Sequence, residues 1–148
     1  MIDIVVHNQT HVETYGEQFF RRICDAAAPY LSVPDGHTGE VGISLIDEEQ
    51  MRALNLQHRH KDASTDVLSF PLPTQPIPGY TAVSLGDLFI SPSDVARKAQ
   101  EQGRTVDEQM AWTVVHGLLH LVGYDHEISS EAAEKMFTLE QTILHTLQ

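Results

Sequence analysis

Short segments rich in branched apolar and aromatic residues occur four times along the chain. They cover residues 2–6 (IDIVV), 41–46 (VGISLI), 66–70 (DVLSF) and 85–90 (LGDLFI), and polar or turn-forming residues bound each of them. Segments of this length and composition, some with partial alternation of apolar and polar positions, are typical of β-strands. The pattern therefore predicts four strands.

Elsewhere, apolar residues recur at intervals of three and four positions, which is typical of amphipathic helices. Five such segments each begin with a residue that can cap a helix. These residues are Thr10, Asp47, Ser91, Thr105 and Ser129. The first helix is predicted to end near Pro29 and the third at Gly103, and Met51, Leu54 and Leu56 are expected to form the apolar side of the second.

Three polar or proline-rich segments, 32–39, 58–66 and 71–80, predict loops. No repeat or linker divides the chain, so residues 1–148 are predicted to form one domain. Strands interleave with helices and three helices follow the last strand. This order predicts an α/β fold of the α+β type, a small sheet packed with about five helices.

The fourth helix is apolar almost all round and is therefore expected to be central and buried. A polar stripe interrupts it: Gln109, Thr113, His116 and His120 share one face. Gly123 follows, and glycine can adopt the positive φ that ends a helix and turns the chain. That turn is expected to bring His126 over the same face.

Three imidazoles with a fourth position open form the ligand set of a catalytic zinc site, whereas structural zinc sites are closed and rich in cysteine. The sequence therefore predicts one Zn²⁺ per chain on His116, His120 and His126. Iron, nickel or copper remain alternatives. So does a pair of core histidines without a metal. Asp125 is a candidate to orient a ligand imidazole by hydrogen bonding.

The spacing H-x-x-x-H-x-x-G-x-x-H matches that of a class of zinc peptidases, in which a glutamate follows the first histidine as general base. Here that position is Gly117. Glycine cannot transfer a proton, so a peptidase of the usual mechanism is disfavoured. A metal can still lower the pKa of water to about 7 and so support attack on a phosphodiester.

The chain has 9 Lys and Arg against 21 Asp and Glu, a net charge of −12, so a broad nucleic-acid-binding surface is not expected. An anionic substrate would need a local positive cluster. The densest one is HRHKD, residues 58–62. Arg59 supplies a planar fork suited to phosphate and Lys61 a point charge, so both are candidate substrate-binding residues.

The single cysteine, Cys24, excludes an internal disulfide and is expected to be buried. The N-terminal residues lack the features of a signal peptide, and the apolar run 110–122 is interrupted by Thr113, His116 and Gly117. We therefore expect a soluble, cytoplasmic protein with no membrane partner.

Three segments resemble one known family. HGLLHLVGYDH (116–126) resembles the H-G-x-L-H-L-x-G-Y-D-H signature of the YbeY family, bacterial metal-dependent endoribonucleases of ribosomal RNA maturation. LNLQHRHKDASTDVLSFP (54–71) resembles its second signature, L-N-x-x-Y-R-x-K-D-x-P-T-D-V-L-S-F-P. LGDLFIS (85–91) is similar to a third segment, L-G-D-I-x-I-S.

This resemblance implies a four-stranded mixed sheet, a zincin-like metal helix, zinc on the three histidines and an essential Arg59 facing the metal cleft. It implies a single-strand-specific endoribonuclease that matures the 3′ end of small-subunit 16S rRNA and serves ribosome quality control. The implied partners are RNA rather than DNA, the small ribosomal subunit with its proteins, and the GTPase Era.

Two departures from the family pattern stand out: His58 replaces an aromatic residue and Ser64 replaces a proline. The sequence supplies no clear general base, and Asp66, His58 and His60 are unranked candidates. Attack by water and attack by the RNA 2′-hydroxyl both remain open. Two alternative functions also remain: a non-catalytic, metal-binding ribosome-assembly factor, and a zinc peptidase of unusual mechanism.

Overall fold

The computed structural model describes residues 1–73 and 75–148, so Thr74, in the predicted loop 71–80, lies outside the described residues. In that part of the chain, four strands and five α-helices form. The strands are β1 (Ile2–Asn8), β2 (Thr38–Leu45), β3 (Val67–Pro71) and β4 (Ala82–Ile90). The helices are α1 (Glu17–Ala27), α2 (Glu48–Arg59), α3 (Pro92–Gln102), α4 (Val106–Leu121) and α5 (Ser130–Thr146), and a short 3-10 helix, Ala28–Tyr30, follows α1.

The four strands form one mixed sheet in the order β1-β2-β4-β3. β1, β2 and β4 are parallel, and β3 runs antiparallel to β4 at the edge. The expected α/β fold with a four-stranded mixed sheet and five helices is therefore confirmed. β3 lies at an edge of the sheet and is followed directly by the segment that leads into β4.

Helices cover both faces of the sheet. Leu88 of β4 belongs to the main core with α1, α4 and α5, whereas its neighbour Phe89 packs against the cluster around Met51 of α2. Successive side chains of a strand point to opposite faces, so α2 lies across the sheet from α4. Within the described residues, no helix has the length and apolar character needed to cross a membrane.

Four of the five predicted helix caps form. In each, the capping side chain accepts a hydrogen bond from a backbone amide three residues later. The pairs are Asp47 with Gln50, Ser91 with Asp94, Thr105 with Glu108, and Ser129 with Ala132. Gly103 ends α3 in the left-handed conformation, at φ 67°. These local signals place the starts of α2, α3, α4 and α5 correctly.

The predicted cap at Thr10 is wrong. The Thr10 hydroxyl donates to Asn8 Oδ1 at 2.6 Å and accepts from the Val12 amide at 3.1 Å, which closes a turn. Side chains of this kind offer the backbone an alternative to a helix. α1 starts only at Glu17, and Gly16 precedes it without a side-chain cap.

Other boundaries also differ from the prediction. α2 extends through His58 and Arg59, which were expected in a loop, and β2 already begins at Thr38. Leu56, expected on the apolar side of α2, is 48% exposed. Met51 supplies most of the buried side of α2 because this helix covers only a small second cluster of the core.

Gly117 allows α4 to lie close against the sheet. A Cβ atom at this position would lie 2.9 Å from Leu88 Cδ2 of β4 and 3.2 Å from Val67 Cγ2 of β3. The Ser69 hydroxyl of β3 donates to the Gly117 carbonyl at 3.2 Å. The position that would carry a peptidase's glutamate is therefore a point of contact between helix and sheet, with no room for a side chain.

Gly117→Glu is expected to lower the free energy of unfolding by more than about 3 kcal/mol, because a carboxylate would be buried without a partner and the helix displaced. Urea denaturation measures this change. Gly16→Glu is the control, because an added Cβ there meets no atom within 4 Å, and a change below about 1 kcal/mol is expected. Equal stability of the two variants would show that the contact at Gly117 is not tight.

Cys24 is fully buried, as predicted, and burial raises the pKa of its thiol to about 12. Because the thiolate is the reactive form, Cys24 should not react with a disulfide reagent at pH 8 in the folded protein. The same thiol should react completely in concentrated urea. Rapid labelling without denaturant would contradict the packing of α1 on the core.

Candidate metal centre

The three predicted histidines converge at the end of α4. One ligand nitrogen from each of His116, His120 and His126 lies within 4.8 Å of the others. His116 Nε2 and His120 Nε2 are 3.1 Å apart. Two nitrogens bound at about 2.0–2.1 Å to one tetrahedral zinc ion are separated by roughly 3.3 Å. The three histidines therefore fit a shared metal ion, and their role as ligands stays a prediction.

Gly123 brings the third histidine to the other two. Its φ of 99° lies in the left-handed region, and its amide donates to the His120 carbonyl at 3.1 Å. The Tyr124 amide donates to the Leu119 carbonyl at 3.1 Å, so α4 closes and the chain turns back. His126 then stands on the turn with 45% of its side chain exposed, compared with 17% for His116.

His120 is suited to binding a cation as a neutral ring. Burial, followed by the neighbouring rings of His116 and His126, lowers the pKa of His120. The negative charge of Asp125, followed by a backbone hydrogen bond with Tyr124, opposes this shift in the pKa of His120. Because only a neutral imidazole offers a lone pair to a metal, the lowered pKa keeps His120 in its binding form.

His116 is held by two contacts that the sequence analysis missed. The Glu140 carboxylate of α5 lies 2.7 Å from His116 Nδ1, and the Trp112 ring stacks on the imidazole at 4.8 Å between centroids. Glu140 is only 3% exposed. Its position, four residues after Met136 and three before Ile143, is the signal that could have placed it on the buried side of α5.

The histidines form one wall of an open cleft of about 490 Å³, and residues 65–69 of the β3 region form another. Arg59 and Lys61 line the same cleft. Within residues 1–73 and 75–148, neither basic side chain forms an ion pair, whereas nearby Arg52 is bound to Asp62 at 2.6 Å. The cleft therefore combines three imidazoles with two available cations.

Arg59 and Lys61 reach the cleft because α2 ends between them. His60 adopts the left-handed conformation at φ 58°. The His60 amide donates to the Leu56 carbonyl, and the Lys61 amide donates to the Asn55 carbonyl. Arg59 thus projects from the last turn of a helix instead of from the predicted loop, which fixes its backbone more firmly.

Of the three candidate general bases, Asp66 lines the cleft. Its carboxylate lies 3.4 Å from Lys98 Nζ and accepts a hydrogen bond from the Thr113 hydroxyl at 3.1 Å. The contact with Asp66 explains why the buried side of α4 carries a polar residue at Thr113. His58 instead packs edge-on against Phe70 at 4.9 Å between centroids. His60 is the cap of α2, and neither histidine is among the described residues that line the cleft.

Two other predicted features have clear positions. Asp125 lines the cleft and accepts from the Glu127 amide at 2.8 Å, and within the described residues it is hydrogen-bonded to no imidazole. Its orienting role stays a prediction. Ser64, at the position where the family has proline, donates to the buried Asp94 carboxylate, which also accepts from Ser91 at 2.6 Å. A hydrogen bond to α3 thus anchors the loop that follows Lys61.

Comparison with known proteins identifies the family of the chain. The family model described as Endoribonuclease YbeY matches residues 3–148. An endoribonuclease YbeY of Pseudomonas putida is 40% identical over 147 residues, covering 99% of this chain and 90% of that protein. One from Acinetobacter baumannii is 48% identical over 110 residues, covering 73% and 70%. A solution structure from Thermotoga maritima aligns with a TM-score of 0.61 at 28% identity, over 97% of this chain and 87% of that one. The chain therefore belongs to the YbeY endoribonuclease family and is an enzyme that hydrolyses RNA phosphodiester bonds.

Proposed function

We propose that the cleft beside α4 is the active site of a zinc-dependent, single-strand-specific endoribonuclease. The observation that carries this proposal is the meeting, in one cleft, of three histidines with Arg59 and Lys61. A Lewis acid and positively charged side chains beside the phosphate oxygens both favour hydrolysis of a phosphodiester. The preference for a single strand extends the family resemblance to this chain.

Each group of residues that lines the cleft has a separate role in the proposed reaction. The three histidines hold the ion, which when bound supplies Lewis-acid polarisation of a phosphate oxygen. Arg59 donates two parallel hydrogen bonds to the remaining phosphate oxygens and stabilises the charge that develops there. Lys61 binds a neighbouring phosphate. Asp66, the one of the three candidate bases that lines the cleft, accepts a proton from the attacking group, which is either water or the RNA 2′-hydroxyl.

The overall charge of the chain argues for help in recognising the substrate. At −12, the surface repels a long polyanion outside the cleft. We propose that the small ribosomal subunit presents the 3′ end of 16S rRNA to the cleft, in the cytoplasm, with ribosomal proteins and the GTPase Era as partners. This assignment extends the family resemblance to this chain, and ribosome quality control would use the same cutting reaction.

Arg59→Ala is expected to reduce cleavage of single-stranded RNA by roughly 100- to 1,000-fold, since one transition-state donor is lost. Arg52→Ala is the matched control: it lies on the same helix but is bound to Asp62, so cleavage should stay near the wild-type rate. His116→Ala should lose both bound zinc and cleavage. Rates are measured with a short labelled RNA, and bound metal by mass spectrometry.

Full-rate cleavage by metal-free His116→Ala would contradict the proposed active site. Wild-type protein that binds zinc and presented rRNA but cuts neither free nor ribosomal RNA would support the assembly-factor alternative, which the acidic surface favours. Peptide hydrolysis that is lost on chelation would support the peptidase alternative, against which the packing of Gly117 already argues.

The salt dependence of RNA binding should be shallow. With two phosphate contacts, log affinity is expected to fall with log salt at a slope of about −1.4 for a single strand. The substitution Lys61→Ala removes one contact and should make this slope shallower, at about −0.7. Fluorescence anisotropy of a labelled RNA across a salt series gives both slopes. A wild-type slope steeper than about −5 would mean that an extended basic surface binds the RNA.

A further inference from the structure

We infer that Glu140 is a positioning residue of the metal centre: its buried carboxylate holds the proton of His116 on Nδ1 and so presents Nε2 to the ion. This inference rests on the proposed metal site. It also assigns a task to α5, which contributes no ligand itself.

Glu140 is a carboxylate in an apolar setting. It is 3% exposed and lies on the face of α5 that also buries Met136 and Ile143. A buried carboxylate is unfavourable unless it is hydrogen-bonded or paired. Within the described residues, its side-chain hydrogen-bond partner is His116 Nδ1, at 2.7 Å. A leucine at position 140 would continue the apolar face, so the glutamate is best explained by the imidazole it contacts.

We assign the proton in this contact to the imidazole: the His116 N–H donates to the Glu140 carboxylate, which places the proton on Nδ1. Nε2 then carries the lone pair. This nitrogen faces His120 Nε2 at 3.1 Å, on the side of the ring where the three histidines converge. Glu140 therefore selects the one nitrogen of His116 that can take part in the shared site.

The orientation of the ring is fixed as well. Trp112, one turn earlier on α4, stacks on His116 with an angle of 17° between the ring planes. Stacking restricts tilting of the imidazole, and the hydrogen bond to Glu140 restricts its rotation about the Cβ–Cγ bond. The two contacts together preorganise His116 before an ion arrives, which lowers the entropy lost on binding.

The first test is zinc affinity, measured by competition with a chromophoric chelator on the full chain. Glu140→Leu should weaken zinc binding about 10- to 100-fold, and Glu140→Gln about tenfold, because the amide can present either its oxygen or its NH₂ to Nδ1. Glu134→Gln is the matched control, since Glu134 is an exposed carboxylate on the same helix. It should leave zinc affinity unchanged.

The second test reads the tautomer directly in the metal-free protein, by long-range ¹H–¹⁵N correlation of the histidine rings. Wild-type His116 should carry its proton on Nδ1, and the two Glu140 variants should show a mixture of tautomers for His116. A merely structural role for Glu140 would leave the tautomer alone. Wild-type zinc affinity in Glu140→Gln, together with an unchanged His116 tautomer, would overturn the inference even if Glu140→Leu fails to fold.

These measurements are independent of RNA cleavage. If the wild type binds zinc and the Glu140 variants both bind it more weakly and change the His116 tautomer, the inference stands whether or not RNA is cut, and an absence of cutting counts only against the proposed function. Equal zinc affinity in folded Glu140→Leu and wild type, with RNA cleavage intact, would overturn the inference and leave the proposed function standing. A metal-free wild type with the His116 proton on Nε2 would also overturn it.

Discussion

The close contact between Gly117 and the sheet sets the distance between the helix that carries two of the histidines and the strands beside it. Because no side chain intervenes, α4 approaches Leu88 of β4 and Val67 of β3 closely. The histidines of α4 are thereby set beside the edge strand and the segment that precedes it, which carry Asp66. The glycine that makes this contact occupies the position at which a peptidase with this histidine spacing carries its essential glutamate. This packing constraint thus positions the histidines of α4 and also excludes the glutamate that peptide hydrolysis would need.

The ion pairs of the chain leave two basic side chains in the cleft available to bind a phosphate. Arg52, Arg97 and Lys98 are bound to Asp62, Asp94 and Asp66, which leaves them little capacity to attract a phosphate. Arg59 and Lys61 have no such partner within the described residues and line the same cleft as the histidines. An acidic chain can therefore act on a polyanion, because its attraction is local and the surrounding surface discourages binding elsewhere.

Local patterns in the sequence predicted much of this arrangement. Capping residues such as Asp47 and Thr105 act within one turn, and the glycine at 123 acts on the next three residues, so their effects can be read without knowing the fold. The prediction of a helix cap at Thr10 was wrong because the Thr10 hydroxyl is hydrogen-bonded to Asn8 in a turn and does not cap a helix. Glu140 could not be assigned to His116 from sequence, since 24 positions separate them and only the packing of α5 on α4 brings them together. The pairing of Asp66 with Lys98 and Thr113 is hidden for the same reason.

The three histidines differ in how the chain holds them. His116 and His120 belong to a buried helix, whereas His126 stands on an exposed turn that only Gly123 and a few backbone hydrogen bonds shape. Moving His126 away requires local opening of that turn, but moving either of the others requires α4 to unwind. Local openings cost far less free energy than global unfolding. If these histidines hold an ion, its exchange with solution would be governed by the turn, at a rate separate from that of unfolding.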